Sequence, residues 1–255
     1  MVELKTPEEI EKMRAASVMV ASTLAMLRKK VRPGVSTLEL SQYAEERIKL
    51  GRGKPAFLGY RGYPAALCVS INDEIVHGIP SAGRRISEGD IVSLDLGVLW
   101  DGFYGDAAIT VAVGEIKPAE AKLLKVTEQA LYRAIETVKS GVHIGDVSHA
   151  IEDFVGKTGM GVVRDFTGHG IGRHLHEEPS IPNFGRPGTG VVLRPGMTLA
   201  IEPMVCLGGP DVVIKEDGWT AVSADGSYAA HFEHTVAVTE NGCEILSSAP
   251  DWAHI

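Results

Sequence analysis

The stretch Ile91-Val92-Ser93-Leu94-Asp95-Leu96-Gly97-Val98-Leu99-Trp100, with its return Asp101-Gly102-Phe103-Tyr104-Gly105-Asp106, decides the fold. Side chains alternate faces along a strand, so Val92, Leu94, Leu96 and Val98 point one way and Ser93, Asp95 and Gly97 the other. Asp95 is therefore a carboxylate in the middle of an apolar strand, where an ionised group without a partner is very costly. The segment from Asp101 to Asp106 reads as a turn and a returning strand that sets Asp106 alongside Asp95. Two carboxylates facing one space need a cation between them, although turn or surface positions explain the same spacing equally well.

Outward from this hairpin the chain falls into blocks. Thr6-Pro7-Glu8-Glu9 carries the signature of a helix start, an N-cap Thr with Pro at the first position and Glu three residues on. Ile10, Met13, Val20, Leu24 and Leu27 continue it at helical spacing as far as Arg32-Pro33-Gly34. Ser36-Thr37-Leu38-Glu39 opens a second helix that runs to Gly51. Strands are expected over 67–71, 91–100 and 103–113, helices over 118–139 and 146–157, and further strands over 162–166, 198–206, 220–222 and 232–238. The order of helices, strands, helices, strands predicts an α+β fold of two similarly built halves, roughly 1–115 and 116–255. No linker separates the halves, so a single domain over 1–255 is expected.

Composition excludes several classes. The 255 residues carry 25 Lys+Arg against 33 Asp+Glu, a net charge of −8, which lacks the basic footprint of a nucleic-acid or anionic-membrane binder. No apolar run is long enough to span a bilayer, and the polar start does not read as a signal peptide, so a cytoplasmic protein is expected. Three scattered cysteines, Cys68, Cys206 and Cys243, predict no disulfide framework. No heptad or exposed apolar stripe argues for more than a monomer.

The second half repeats the oddity of Asp95. His169 stands between glycines in Thr167-Gly168-His169-Gly170, and lone acids sit within the apolar runs Thr198-Leu199-Ala200-Ile201-Glu202-Pro203 and Phe232-Glu233-His234-Thr235-Val236. Taken singly, each acid can be a core salt bridge. Together, four acids and one imidazole form an oxygen-rich set that suits Mn²⁺, Fe²⁺, Co²⁺ or Zn²⁺ better than a thiolate site. Gly156-Lys157-Thr158 lacks the first glycine of a P-loop, His176-Glu177-Glu178-Pro179 lacks the second His of a zincin helix, and no GxSxG or GxGxxG occurs.

These five residues, with the strings Gly59-Tyr60-Arg61-Gly62-Tyr63-Pro64, Ser70-Ile71-Asn72-Asp73-Glu74, His77-Gly78-Ile79-Pro80, Gly168-His169-Gly170-Ile171-Gly172-Arg173 and Ile201-Glu202-Pro203-Met204, resemble the methionine aminopeptidases. The resemblance runs from about Thr6 to Leu246. It implies the pita-bread fold, two pseudo-twofold-related α+β halves around a central curved antiparallel sheet. The short gap between His169 and Glu202 is similar to type I enzymes, and the expected form is bacterial, without the zinc-binding extension of some eukaryotic relatives.

The resemblance further implies a metal-dependent hydrolase that removes initiator methionine from nascent proteins when the second residue is small, using a water that bridges two metal ions. Asp106 and Glu233 would bridge the two divalent ions (Co, Mn, Fe or Zn), Asp95 would chelate one, and His169 with Glu202 would complete the other. Glu202 is implied as general base, and His77 and His176 as the residues that hydrogen-bond the peptide. Tyr60, Tyr63, Cys68, His77 and Trp219 would line the methionine pocket, with Phe57 and Leu175 at neighbouring wall positions. A monovalent cation near the Asn72 backbone is also implied. The expected partners are nascent N-termini near the ribosome, without direct nucleic-acid or membrane contact. An Xaa-Pro aminopeptidase or dipeptidase on the same site, and a non-catalytic peptide-binding module, are the alternatives.

Overall fold

A computed structural model describes residues 2–248. Helices α1 (Pro7–Arg28) and α2 (Thr37–Leu50) precede strands β1 (Lys54–Pro55), β2 (Cys68–Ile71), β3 (Glu74–Val76), β4 (Ile91–Trp100) and β5 (Phe103–Ala112). Helices α3 (Pro118–Thr137) and α4 (Ile144–Gly156) follow, then β6 (Gly161–Val162), β7 (Thr167–Gly170), β8 (Glu177–Pro182), β9 (Thr198–Ile201) and β10 (Met204–Cys206). The chain closes with β11 (Val212–Ile214), β12 (Ala221–Ser223), β13 (Ala229–His231), β14 (Glu233–Val238) and β15 (Cys243–Ile245). No described helix is long and apolar enough to cross a membrane.

Both opening helices start where their caps dictate. Glu9 N–H donates to Thr6 Oγ1 (3.3 Å) and Thr6 N–H to Glu9 Oε2 (2.9 Å), and Ser36 and Glu39 repeat the reciprocal pair. Helix α1 then lies across β4 and β5 with Met13, Ala16, Val20, Leu24 and Leu27 buried. Gly105 permits that approach: a Cβ there would stand 2.6 Å from the Ser17 backbone nitrogen.

Among the described residues, nine strands form one antiparallel sheet in the order β1-β4-β5-β14-β9-β7-β8, with β2 on β4 and β15 on β14. The β5–β14 pairing, Glu233 opposite Ala108 and His234 opposite Ala107, joins the first strand block to the second at the centre of the sheet. Two three-stranded sheets, β13-β10-β6 and β11-β12-β3, flank it.

Two expected strands are corrected. The run 198–206 is broken: β9 pairs with β14 and β7 in the large sheet, whereas β10 pairs with β13 and β6 in a small one. Pro203 marks the change, since it has no N–H to offer a ladder. The partner strand turns at the same level, between His231 and Glu233, so Glu202 and Glu233 both stand at a corner between sheets. The run 162–166 reduces to Gly161–Val162 because after Val163, whose N–H reaches Met204 O (3.0 Å), no partner strand continues and Arg164 and Asp165 face solvent. Segment Glu177–Pro182, which carries no strand pattern, is drawn into the sheet beside β7.

Candidate metal centre

The register of the central strands gathers the acids. Asp95 lies opposite Ala108, which lies opposite Glu233, so the two carboxylates share one row across β4, β5 and β14. Asp106 is opposite Gly97, two residues from Asp95 and therefore on the same face. His169 is opposite Ala200, two residues before Glu202, and Ala200 is opposite Thr235, two residues after Glu233. All five residues thus project from one side of the sheet. Glycines flank His169 because the neighbouring backbones come close: a Cβ on Gly168 would be 2.4 Å from Ala200 O and one on Gly170 2.2 Å from Glu178 O.

One ligand atom from each of Asp106, His169 and Glu233 lies within 4.8 Å of the others, and His169 Nε2 is 3.6 Å from Glu202 Oε1. The His169 ring is preset: Nδ1 donates to Gly170 O (2.9 Å), leaving Nε2 as a lone pair toward the acids. Asp95 Oδ1, Asp106 Oδ1 and Glu233 Oε1 are buried without a hydrogen-bond partner, which removes the core salt bridge as an explanation.

Burial pushes the Asp95 carboxyl up to about 7. Burial first, then the charges of their neighbours, push Asp106, Glu202 and Glu233 well above the usual carboxylate range. Such a set ionises together only around compensating cations. Orphaned hard oxygens with one oriented imidazole fit divalent ions of the Mn, Fe, Co or Zn kind, and the number of acids suits two of them.

Above this floor lies a cavity lined by all the residues expected at the site: Phe57, Tyr60, Tyr63, Cys68, His77, Asp95, Asp106, His169, Leu175, His176, Glu202, Trp219 and Glu233. Tyr63 packs edge-on against Trp219 (5.2 Å) and its hydroxyl donates to Gly78 O (2.9 Å). His77 holds a left-handed backbone (φ 61°) and packs edge-on between Phe166 (5.3 Å) and Trp219 (6.2 Å). Burial, then the charge of His176, lowers the His77 pKa to about 4, so its ring is neutral near pH 7. His176 stacks on Tyr60 (5.2 Å), its Nδ1 lies 2.8 Å from the Tyr60 hydroxyl, and burial followed by Arg61 depresses its pKa. Cys68 is opposite Asp95 on β2, and burial keeps it a thiol. Asn72 stands apart at the β2–β3 turn, its carbonyl accepting from Ala229 N–H (2.8 Å).

Two residues at the site escaped the sequence reading. Arg61 lies within a quoted string and lines the cavity, its guanidinium 5.4 Å from the Tyr60 ring centroid. His231 sits behind the floor, its Nε2 3.7 Å from Glu202 Oε2. Its place two residues before Glu233 was the available signal.

Comparison with known proteins extends the geometry. The model of metallopeptidase family M24 matches residues 11–240. The chain belongs to metallopeptidase family M24. Among M24 proteins it is similar to the methionine aminopeptidase of Clostridium acetobutylicum, 49% identical over 97% of this chain and 99% of that protein. The crystal structure of methionine aminopeptidase from Thermotoga maritima superposes with a TM-score of 0.97 at 53% identity, covering 98% of this chain and all of that one. The Xaa-Pro dipeptidase from Bacillus anthracis is more distant, 26% identical with a TM-score of 0.77, and this chain covers 62% of it. The expected pita-bread fold and the bacterial methionine aminopeptidase resemblance are thereby borne out, and the Xaa-Pro aminopeptidase or dipeptidase alternative is not favoured.

Proposed function

We propose that this chain is a metal-dependent methionyl aminopeptidase that frees the N-terminal methionine of proteins whose second residue is small. The observation that carries the reading is the meeting, in one cavity, of an oxygen-rich floor with an aromatic and thiol wall. A thioether packs favourably on aromatic edges, which Tyr63, Trp219 and His77 present. Phe57, Leu175, Tyr60 and Cys68 complete the wall in this reading.

Asp106 and Glu233 would hold both divalent ions, Asp95 one, and His169 with Glu202 the other. The bound ions supply Lewis-acid polarisation of the scissile carbonyl and acidify water. Glu202, raised in pKa by burial, takes the proton as water attacks the carbonyl carbon, and returns it to the departing amine as the C–N bond breaks. His77, neutral and half-buried, donates to the carbonyl oxygen as charge grows on it. His176, held by the Tyr60 hydroxyl, positions the peptide backbone.

The same reading places the enzyme in the cytoplasm as a monomeric single domain, 1–255, acting on nascent chains near the ribosome, with a monovalent cation at the Asn72 backbone. Its support is the substrate class, since fresh initiator methionine arises there. Hydrolysis of Met-Ala-Ser beside Ala-Pro-Ala by metal-reloaded protein, with Glu202→Gln as control, tests it. Cleavage of the methionine peptide alone, lost in the variant, is expected; release from Ala-Pro-Ala instead moves the chain to the proline-directed branch, and silence on both revives the binding module.

A further inference from the structure

Behind Glu202 stands an imidazole that no step above uses. His231 ends β13 opposite Met204, is 1% exposed, and lies outside the cavity wall. Its backbone is clamped from β5: its N–H donates to Thr110 Oγ1 (2.9 Å), and the Thr110 hydroxyl donates to its carbonyl (2.8 Å). The chain turns after His231 into β14, and the His231 ring faces Glu202.

The ring itself has no hydrogen-bond partner at either nitrogen. A neutral imidazole carries one N–H, and leaving that donor buried and unmet costs about 1–3 kcal/mol. The acceptor in range is Glu202 Oε2, at 3.7 Å from Nε2, while the other oxygen, Oε1, faces His169 Nε2 at 3.6 Å. Glu202 is therefore bracketed by two imidazoles, one on each oxygen. Hydrogen bonds of this kind are commonly long before the site is loaded and tighten afterwards.

We propose that His231 is a positioning residue whose Nε2–H donates to Glu202 Oε2 in the metal-loaded protein, fixing the carboxylate plane. Oε1, the oxygen nearer His169 Nε2, would then be left free to help His169 hold a metal ion, and Oε2 would be kept in place for proton transfer. Outer partners of metal ligands act in this way, and losing one typically costs about 10–100-fold in metal affinity or activity. The inference rests on the metallopeptidase reading of Glu202 and adds a residue to it.

The direct test needs no substitution. Long-range ¹H–¹⁵N correlation on Zn²⁺-loaded, ¹⁵N-histidine-labelled protein is expected to show the His231 ring protonated at Nε2 and bare at Nδ1. A ring bare at Nε2, whether facing a metal or not, overturns the proposal. Two variants read the consequence by calorimetric titration of metal-stripped protein with Mn²⁺ and by kinetics on Met-Ala-Ser. His231→Leu keeps the bulk and loses the donor: affinity for one Mn²⁺ and kcat should each fall about 10–100-fold, with KM nearly unchanged. His231→Gln, whose amide nitrogen reaches the Nε2 position, should restore most of both. Wild-type affinity and kcat in His231→Leu, or His231→Gln as impaired as His231→Leu, contradicts the donor role. Should His231→Leu fail to fold, the ring tautomer decides. Tautomer and metal affinity are read without substrate, so failure of the aminopeptidase reading shows only in the peptide assay and is separable.

Discussion

The carboxylates of Asp106 and Glu233 bring ligand atoms within 4.8 Å of each other across the β5–β14 pair, both buried, with an oxygen of each lacking any hydrogen-bond partner. Without a cation that contact is repulsive, and with one it becomes the clamp of the site. Replacing Glu233 by Gln should therefore act with opposite signs in two states. The metal-free variant should melt above the metal-free wild type, whereas metal should raise its Tm far less and activity should be lost. Differential scanning calorimetry with and without Mn²⁺ checks both signs.

The same repulsion makes metal dependence sensitive to pH. In the metal-free fold burial holds Asp95 at about 7, and Asp106, Glu202 and Glu233 are held well above the usual carboxylate range, against about 4 in the unfolded chain. Each binds a proton in the fold that the unfolded chain has released, so its stabilisation is present at acid pH and lost as pH rises through the folded value. His77, His169 and His231 are depressed to about 4, 3 and 3, so they act oppositely, but only below their unfolded value of about 6.5. Between about pH 6.5 and 8 the carboxylates act alone. In EDTA the Tm should fall over that interval, and the gain in Tm on adding Mn²⁺ should be larger at the upper end. An equal gain at both ends contradicts the assignment.

Gly105, the residue before Asp106 on β5, provides a test of the α1–sheet packing. A methyl there would meet the Ser17 backbone at 2.6 Å, where no side chain can yield. Gly105→Ala should cost about 1–3 kcal/mol, measured by urea unfolding of the metal-loaded protein.

Besides its place in the proposed pocket wall, Tyr60 holds His176, with the hydroxyl 2.8 Å from Nδ1. Tyr60→Phe keeps the stacked ring and removes that partner, worth about 1 kcal/mol. Steady-state kinetics on Met-Ala-Ser should show kcat/KM reduced several-fold with metal stoichiometry intact, and a loss of bound metal would argue against the proposed role.

Much of this was legible in the chain because two periodicities carried it. The β4–β5 hairpin shows in the alternation around Asp95, and α1 and α2 show in their capping boxes, Thr6 with Glu9 and Ser36 with Glu39. Glu202 was legible as a lone acid in an apolar run but not as a corner, because one strand crossing between two sheets has the same apolar pattern as one strand continuing. Strand β8 was hidden because Glu177–Pro182 is half-exposed and is ordered by pairing with β7 rather than by its own propensity. His231 was overlooked for a related reason: its meaning comes from Glu202, which lies 29 positions earlier in the chain and meets it only through the paired turn of β10 and β13.

The central claim is that the buried acids and His169 hold divalent ions that drive methionine release. Its most direct test is titration of metal-stripped protein with Mn²⁺, following heat and Met-Ala-Ser hydrolysis in the same sample. The account predicts no turnover in the stripped protein, binding of up to two ions, and activity that rises with occupancy and is abolished when Asp106 is replaced by Asn. Full turnover in the stripped protein, or binding and activity untouched by Asp106→Asn, would contradict it.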